Sequence, residues 1–232
     1  MEGLAQNLER VREALARAAV RSGRRPEDVT LVAVTKEVQV PRILEAVALG
    51  VTDLGENRYQ EAREKLGRVP GVRWHFIGHL QRNKVKYVLE SFELVHSLDR
   101  AALAEEIDRH ARRRGRPARV LVQVNLTGDP RRHGVLPGDL PRLLEACALL
   151  PGLRVEGLMT IAPPAPTPEG ARPYFRRLFE LAQEQRQRGL ERVSLDHLSM
   201  GMSDDFVPAV EEGATMVRLG RALFGERRGG RP

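Results

Sequence analysis

The chain has 232 residues, a length that fits one large domain and lies within the range of a single α/β barrel. Its composition, 41% hydrophobic and 30% charged, is that of a globular protein, and no apolar run approaches the roughly 20 residues of a membrane helix. The formal charge of +7 raises the question of a nucleic-acid partner. Aromatic residues make up only 4% of the chain, and the densest basic runs, RHARRRGRPAR (109–119) and the tail ERRGGRP, carry no interleaved stacking positions, so specific nucleic-acid binding is not predicted.

The N-terminal segment MEGLAQNLERVREALARAA has an amphipathic helix pattern with mixed charges and lacks the continuous apolar stretch of a secretory signal. Cys147 is the only cysteine, which excludes an internal disulfide framework and fits a reducing compartment. It lies in the helical pattern LPRLLEACALL, where core packing is its expected role. We therefore expect a cytoplasmic protein.

Short apolar runs alternate with helical patterns along the rest of the chain. The predicted strands are 29–34, 51–55, 72–78, 94–98, 118–125, 154–161, 192–200 and 215–220. The predicted helices are 41–49, 57–67, 80–90, 100–114, 137–150, 168–189 and 204–212. This alternation implies parallel strands joined by right-handed crossovers, and eight units predict a (β/α)8 TIM barrel with an extra N-terminal helix. An open doubly wound sheet is the alternative, and no linker divides residues 1–232, which we expect to form a single domain.

The loops after the strands of such a barrel converge on one mouth, where functional sites lie. Lys36 follows the first strand in VTLVAVTKE. A cation is costly beside the buried aliphatic surface of such an apolar run, so its presence there calls for an explanation. Only four of the 38 basic residues are lysines, and lysine forms covalent adducts that arginine cannot form. Aliphatic surroundings would favour its neutral, nucleophilic state. Alternatively, Lys36 snorkels and pairs with Glu37 or Glu56, and the residues alone leave both possibilities open.

A phosphate site is predicted at the same mouth, after the last two strands. Gly220 permits close backbone approach, and Arg221 begins a short helical segment whose N–H groups favour an anion. The preceding loop SMGMSDD adds Gly201 and the hydroxyls of Ser199 and Ser203, although a plain strand-to-helix connection is the alternative. A lysine and a phosphate site together indicate a phosphate-tethered aldehyde, and pyridoxal 5′-phosphate meets both requirements.

The chain carries, in order, the motifs VAVTKE, LGENRYQE, WHFIGHLQRNK, VLVQVN, GLMTI and LSMGMSDDFVPAVEEGATMVRLGRALFGER. From about residue 29 to 227 this set resembles the pyridoxal-phosphate homeostasis proteins, the YggS/PROSC family. The resemblance implies a fold similar to the barrel domain of bacterial alanine racemase and an internal aldimine of pyridoxal 5′-phosphate with Lys36. It also implies that Ser203 and the backbone N–H groups of Gly220 and Arg221 bind the phosphate, while Arg218 faces the pyridine nitrogen.

Three further residues, Asn57, His79 and Met159, match motif positions that line the family's pocket. Met159 could instead pack beneath the ring, as methionine does in cores. Two positions depart from the family pattern: Val38 stands where a second lysine is common, so an auxiliary role of that amine is in doubt, and His79 stands where proline is usual. We interpret His79 as a surface substitution without function, with a proton-transfer group as the alternative.

Two functions fit this set of residues. An amino-acid racemase needs an acid/base group on each face of the substrate α-carbon, and alanine racemases take the second one from a tyrosine carried by an additional β domain. No such domain is evident here, and Tyr59, Tyr87 and Tyr174 fall in helical stretches or their margins. A guanidinium facing the pyridine nitrogen also weakens the cofactor as an electron sink. We therefore predict a monomeric carrier that holds and hands over pyridoxal 5′-phosphate, with apo forms of enzymes that use this cofactor as partners, and a racemase as the alternative.

No metal site is predicted from the sequence. His75 and His79 have the four-residue spacing of a zinc-binding helix. However, WHFIGH lacks the glutamate of an HExxH motif and reads as a strand that runs into a turn.

Overall fold

Runs rich in β-branched and aliphatic residues, such as TLVAV, form the inner wall of the molecule, as their composition favours. In the computed structural model, which describes residues 3–225, each strand pairs in parallel with its neighbours in the chain and the last strand closes on the first. The strands are β1 (Thr30–Val34), β2 (Asp53–Glu56), β3 (Arg73–Phe76), β4 (Leu94–Leu98), β5 (Ala118–Gln123), β6 (Leu153–Met159), β7 (Val193–Ser199) and β8 (Met216–Leu219). The predicted closed barrel is confirmed, and the open-sheet alternative is wrong.

Helices cover the outside of the barrel and begin with the predicted N-terminal helix. They are α1 (Leu4–Arg21), α2 (Val40–Ala48), α3 (Tyr59–Leu66), α4 (Val85–Ser91), α5 (Ala101–Arg113), α6 (Leu140–Ala148), α7 (Arg172–Arg186), α8 (Phe206–Glu211) and α9 (Arg221–Phe224). Short 3₁₀ turns lie at Pro26–Asp28, Arg82–Lys84 and Pro168–Ala171. The apolar stripe of α1 packs against α8 and α9, and Asn7 donates a hydrogen bond of 2.9 Å to the carbonyl oxygen of Leu223.

Several predicted boundaries differ from the observed ones. The predicted strand 72–78 ends at Phe76, because the chain turns at Gly78, where a Cβ atom would lie 2.1 Å from the carbonyl oxygen of Asn57. The predicted helix 57–67 begins only at Tyr59, since Arg58 has extended backbone angles. The predicted helix 168–189 starts as a 3₁₀ turn and its α-helical part ends at Arg186.

The core lies mainly between the strands and the helices, and a smaller cluster fills the barrel interior. Cys147 on α6 is buried in the main core, where burial raises the pKa of its thiol to about 12. This confirms the predicted packing role. Across residues 3–225, no helix is both long and apolar enough to cross a membrane.

Two arginines of the basic run 109–119 make close ion pairs with acidic side chains. Arg119 contacts Glu93 at 2.6 Å and Glu156 at 2.8 Å, and Arg109 contacts Glu106. The charges of these two guanidinium groups are therefore partly compensated within the fold. The other basic run, ERRGGRP (226–232), lies outside the described residues.

Candidate functional site

Lys36 lies in the turn that follows β1, at the barrel mouth. Its side chain is 27% exposed, and its Nζ lies 3.6 Å from Glu37 Oε1. Glu37 has a positive φ of 62°, a conformation that bends the chain sharply after the lysine. Of the two carboxylates expected as structural partners of Lys36, only Glu37 is close, because Glu56 is paired with Lys65.

Lys65 of α3 is a buried cation that sequence reasoning missed. Its Nζ donates three hydrogen bonds of 2.7 Å, to the carbonyl oxygen of Thr35 and to the carboxylates of Glu56 and Glu61. Burial raises the pKa of Glu56. Burial also acts to raise the pKa of Glu61, but hydrogen bonds from Lys65 and from the backbone lower it overall. The spacing of Glu61 and Lys65 in YQEAREKL is a helical ion-pair signal, but nothing in the sequence shows that Lys65 is buried.

Lys65 and Glu61 bind the backbone on both sides of Lys36. Lys65 binds the carbonyl oxygen of Thr35, the residue before it, and the Glu61 carboxylate accepts a hydrogen bond from the N–H of Glu37, the residue after it. Two peptide groups that flank the candidate nucleophile are therefore tied to one turn of α3. Such anchoring limits the positions that the amine can take.

A cavity of about 480 Å³ opens beside Lys36, between the loops that follow β1, β2 and β3. Asn57, Tyr59 and His79 also line it, so the structure brings together Lys36 and two of the pocket residues suggested by the sequence. The ring of Tyr59 stacks on Tyr87 with 5.4 Å between centroids. Tyr59, Tyr87 and Tyr174 lie on α3, α4 and α7, so their predicted helical placement is confirmed.

On the other side of Lys36, the end of β8 lies beside the end of β1. Ala33 pairs with Leu219 in the register, and a Cβ atom at Gly220 would lie 3.6 Å from Val34. The candidate phosphate residues therefore begin next to the chain segment that leads into the lysine. They do not line the cavity of about 480 Å³, which lies toward β2 and β3.

The loop after β7 meets the start of α9, as the phosphate-site prediction requires. Ser203 Oγ accepts a hydrogen bond of 3.1 Å from the N–H of Ala222, and the Arg221 side chain pairs with Asp204. Gly201 has a φ of +90°, and a Cβ atom there would lie 2.6 Å from Ala209 Cβ, so this turn demands glycine. Ser203, Gly220 and Arg221 are thus brought to one place.

Arg218 lies inside the barrel below this loop and is 4% exposed. Its guanidinium donates hydrogen bonds to Ser199 Oγ at 2.6 Å and to the carbonyl oxygen of Thr160 at 2.8 Å. Burial lowers the pKa of Arg218 to about 10, so the group keeps its charge at neutral pH. Ser199, predicted as part of the phosphate loop, lies beneath that loop and binds Arg218.

A line of buried polar groups runs from Arg218 through the barrel. Ser199 Oγ lies 2.8 Å from His96 Nδ1, His96 Nε2 lies 2.9 Å from His75 Nδ1, and His75 Nε2 lies 2.9 Å from Asp53 Oδ1. One assignment of protons satisfies every contact, because the Asp53 carboxylate only accepts and each group can donate to the next one toward it. In that assignment, Ser199 accepts from Arg218 and donates to His96.

The two ends of this line are charged, and His96 between them is neutral. Burial lowers the pKa of His96 well below its ordinary value. Burial acts to raise the pKa of Asp53, but hydrogen bonds from His75 and Arg73 outweigh it and hold the pKa well below its usual range. The buried guanidinium of Arg218 is therefore connected through three buried polar side chains to a carboxylate at the opposite end of the barrel. The sequence did not connect His75 and His96 with Arg218, because no motif contains all three residues.

Met159 is fully buried in the barrel interior, where it packs with Leu94, Leu121 and Met216. Met159 therefore packs inside the barrel and does not line the cavity beside Lys36. Val38 is partly buried against the core, and its N–H donates to the carbonyl oxygen of Thr35 at 2.9 Å. The usual position of a second lysine is thus occupied by an apolar side chain.

His79 is part of a cluster at the mouth. Its ring stacks on His133 with 3.9 Å between centroids and 14° between planes, and its Nδ1 lies 3.7 Å from Asp99 Oδ2. Burial and the neighbouring His133 lower the pKa of His79. The residue is surface-exposed, as expected, but it is not isolated.

The chain is similar to known proteins along nearly its whole length. Residues 4–228 match the family model described as alanine racemase, N-terminal domain. The chain belongs to this family. A relative from Aquifex aeolicus (strain VF5), named pyridoxal phosphate homeostasis protein, is 44% identical over 225 residues, which cover 96% of this chain and 98% of the relative.

Solved structures of family members extend the comparison. PipY of Synechococcus elongatus PCC7942, with PLP bound, is 38% identical and superposes with a TM-score of 0.84 over 96% of this chain and 100% of that chain. An alanine racemase from Clostridium difficile 630 is 17% identical, with a TM-score of 0.73 over 97% of this chain and 56% of that chain. The second similarity shows the shared fold, and the sequence-based family resemblance is confirmed.

Proposed function

We propose that the protein binds pyridoxal 5′-phosphate at the barrel mouth and acts in homeostasis of this cofactor, holding, buffering and releasing it. When bound, pyridoxal 5′-phosphate supplies an aldehyde that condenses reversibly with a primary amine. The observation that carries the proposal is the position of Lys36: a partly exposed amine with an anchored backbone, between an open cavity and the end of β8. The relative named pyridoxal phosphate homeostasis protein and the PLP-bound PipY support the choice of ligand.

The other residues at the mouth fit such a ligand. Ser203 and the first residues of α9, Gly220 and Arg221, would hold the phosphate, and the left-handed turn at Gly201 fixes the loop that presents Ser203. Arg218 would face the pyridine nitrogen and keep it unprotonated through its fixed positive charge. Ser199 acts by orienting Arg218.

Asn57 and Met159 complete the proposed surroundings of the cofactor. Asn57 lines the cavity beside Lys36, and Met159 packs beneath the site in the barrel interior. The residues at the mouth therefore offer an amine, hydroxyl and backbone donors for a phosphate, and an apolar floor. This donor set matches the three chemically different parts of pyridoxal 5′-phosphate.

A carrier is favoured over an amino-acid racemase. Racemisation needs a second acid/base group, and Tyr59 is the tyrosine that lines the cavity, but its ring is stacked on Tyr87. A cationic Arg218 that disfavours protonation of the pyridine nitrogen also weakens carbanion stabilisation. Reversible attachment at an open mouth suits release of the cofactor.

The proposal includes a monomer that delivers the cofactor to apo forms of pyridoxal-phosphate-dependent enzymes in the cytoplasm. Cys147 is the only cysteine in the sequence, and it is a buried free thiol. This use of cysteine supports a reducing compartment. The mouth supports transfer, because the Lys36 side chain beside the cavity is still 27% exposed.

A spectroscopic titration tests the function. Wild type is titrated with pyridoxal 5′-phosphate and with pyridoxal, and the visible absorption of the bound ligand is followed. We expect pyridoxal 5′-phosphate to bind much more tightly than pyridoxal. Ser203→Ala should reduce this ratio of affinities several-fold. Ser194→Ala, at an exposed residue of β7, should leave the ratio unchanged.

The loaded protein is then mixed with an apo transaminase and, separately, with a panel of amino acids. We expect reactivation of the transaminase and no turnover of the amino acids. Equal binding of the two ligands would contradict the phosphate site, and rapid racemisation would establish the enzyme alternative.

A further inference from the structure

Three consecutive loops at the barrel mouth each contribute one metal-ligating side chain to a single cluster. His79 follows β3, Asp99 directly follows β4, and His133 lies in the loop after β5. One donor atom from each side chain lies within 4.8 Å of the donor atoms of the other two. Within residues 3–225, this is the one set of three or more histidine, cysteine or carboxylate side chains that meets this distance.

The distances in the cluster suit a shared ion better than direct contacts between the side chains. His79 Nδ1 and Asp99 Oδ2 are 3.7 Å apart, too far for a hydrogen bond. Donor atoms bound at about 2.0–2.2 Å to one tetrahedral zinc ion lie about 3.3 Å from one another. The donor atoms lie within 4.8 Å of one another, so closure of the cluster on an ion requires these separations to shorten by up to about 1.5 Å.

The stacked rings of His79 and His133 lie close to one another. The two imidazoles are nearly parallel, with 14° between their planes and 3.9 Å between centroids, so one ring must turn before both can direct a nitrogen lone pair at the same ion.

Neighbouring side chains hold Asp99 and His133 in place without an ion. Arg100 binds Asp99 Oδ1, which leaves Oδ2 directed at His79. The carbonyl oxygen of His133 accepts a hydrogen bond of 3.1 Å from Gln123 Nε2. A ligand carboxylate oriented by a neighbouring group is typical of metal sites.

We propose that His79, Asp99 and His133 form a binding site for one divalent ion of the zinc class. Two imidazole nitrogens and one carboxylate oxygen match the ligand preference of Zn²⁺, Co²⁺ and Ni²⁺. Three protein ligands leave at least one coordination position open to water or to an anionic ligand. Because His79 also lines the cavity beside Lys36, the ion would lie at the rim of that cavity.

The site is independent of the proposed cofactor function. None of the three ligands is among the residues proposed to hold the cofactor, and Zn²⁺ binding is measured without pyridoxal 5′-phosphate. No sequence motif indicates it, because its residues come from three separate loops and not from one helix or one knuckle.

Calorimetric titration with Zn²⁺ tests the proposal, using the full chain without a histidine tag after treatment with a chelator. We expect one Zn²⁺ per chain, and Co²⁺ should give the visible absorption of a four- or five-coordinate ion. His133→Gln and Asp99→Asn, which change different loops, should each weaken Zn²⁺ binding by on the order of 100-fold. Arg100→Ala should weaken it about tenfold, because Asp99 loses its orienting partner.

His110→Gln is the matched control, since His110 lies 3.1 Å from Glu106 but belongs to no cluster of three such side chains within residues 3–225. We expect unchanged Zn²⁺ binding. In wild type, Zn²⁺ should also protect His79 and His133, but not His110, from acylation by diethyl pyrocarbonate, a readout that needs no variant. Any of three results would overturn the proposal: Zn²⁺ does not bind stoichiometrically, all variants including His110→Gln lose Zn²⁺ affinity equally, or Zn²⁺ leaves the acylation of His79 and His133 unchanged.

Discussion

Lys65 donates a hydrogen bond of 2.7 Å to the carbonyl oxygen of Thr35, the residue immediately before Lys36. The donor is a buried cation on α3, and the acceptor belongs to the turn that follows β1. A helix on the outside of the barrel thereby fixes the backbone at the proposed cofactor-binding lysine. The two lysines have opposite roles: one is enclosed by carboxylates, and the other reaches the mouth.

Loss of the Lys65 cation should strongly destabilise the fold. Lys65→Met would leave the carboxylates of Glu56 and Glu61 without their shared partner, and breaking a buried ion pair in this way costs about 3–5 kcal/mol. We expect this decrease in the free energy of unfolding, measured by urea titration. Lys86→Met, at an exposed lysine of α4, should change it by less than about 0.5 kcal/mol. Similar small effects of both substitutions would show that the buried contacts contribute little.

Ser199 should matter for stability although it lies below the proposed phosphate site. Ser199→Ala removes the oxygen between Arg218 and His96, so each of these buried groups loses one hydrogen-bond partner, which costs about 1–3 kcal/mol. We expect a decrease of this size in urea unfolding, together with a changed absorption maximum of the bound cofactor, since Arg218 loses its orientation. Ser194→Ala on the same strand is exposed and should have no measurable effect. If the two variants behave alike, Ser199 does not position Arg218.

Stability should decrease as the pH falls below neutrality. In the folded state burial holds the pKa of His96 well below its ordinary value of 6.5, so His96 binds a proton mainly in the unfolded chain. The unfolded state then binds more protons, and the free energy of unfolding should fall between about pH 7.5 and 5.5. The depressed pKa of Asp53 adds a second loss below about pH 4, as its carboxylate is protonated first in the unfolded chain. Urea unfolding at a series of pH values measures this slope, and constant or increasing stability on acidification would be inconsistent with it.

A surface ion-pair network joins α7 to α8. Arg172 contacts Glu169, Glu211 and Glu212 at distances of 2.5, 2.6 and 3.1 Å. Arg172→Met should lower the free energy of unfolding by about 1 kcal/mol, and the difference from wild type should shrink in about 1 M salt because salt screens exposed charges.

Arg177→Met is the control for this network, since Arg177 pairs only with Glu180 and Glu184 of its own helix among the described contacts. It should lower the free energy of unfolding by less than about 0.5 kcal/mol. A loss for Arg172→Met that is as small as this, or that does not respond to salt, would mean that the network does not link the two helices energetically.

The sequence predicted the barrel because its signal is repeated and local. Eight apolar runs separated by helical patterns leave few alternatives, and Lys36 is conspicuous in VTLVAVTKE because an apolar strand ends on a cation. Lys36 follows β1, and Arg218 and Gly220 lie at the end of β8. Closure of the barrel makes these two strands neighbours, so the predicted eight-stranded barrel brings the three residues together.

Burial and distant pairing could not be predicted in the same way. Lys65 looks like an ordinary surface lysine in a charged helix, and its burial depends on how α3 lies over the turn at Thr35. The contact between His96 and Ser199 joins β4 to β7 across the barrel interior. Ser199 was therefore placed in the phosphate loop, although its side chain points below it.

The central claim is that Lys36 carries the cofactor, and borohydride reduction followed by peptide mass mapping tests it most directly. Purified protein is mixed with pyridoxal 5′-phosphate, reduced and digested, and the same is done with Lys36→Ala and Lys84→Ala, the latter at a lysine that also lines the cavity. We predict a visible absorption band and one stable adduct on the peptide that contains Lys36, both absent in Lys36→Ala and retained on Lys36 in Lys84→Ala. An adduct on Lys84 or on several lysines, or none on Lys36, would contradict the account and leave Lys36 as the structural partner of Glu37.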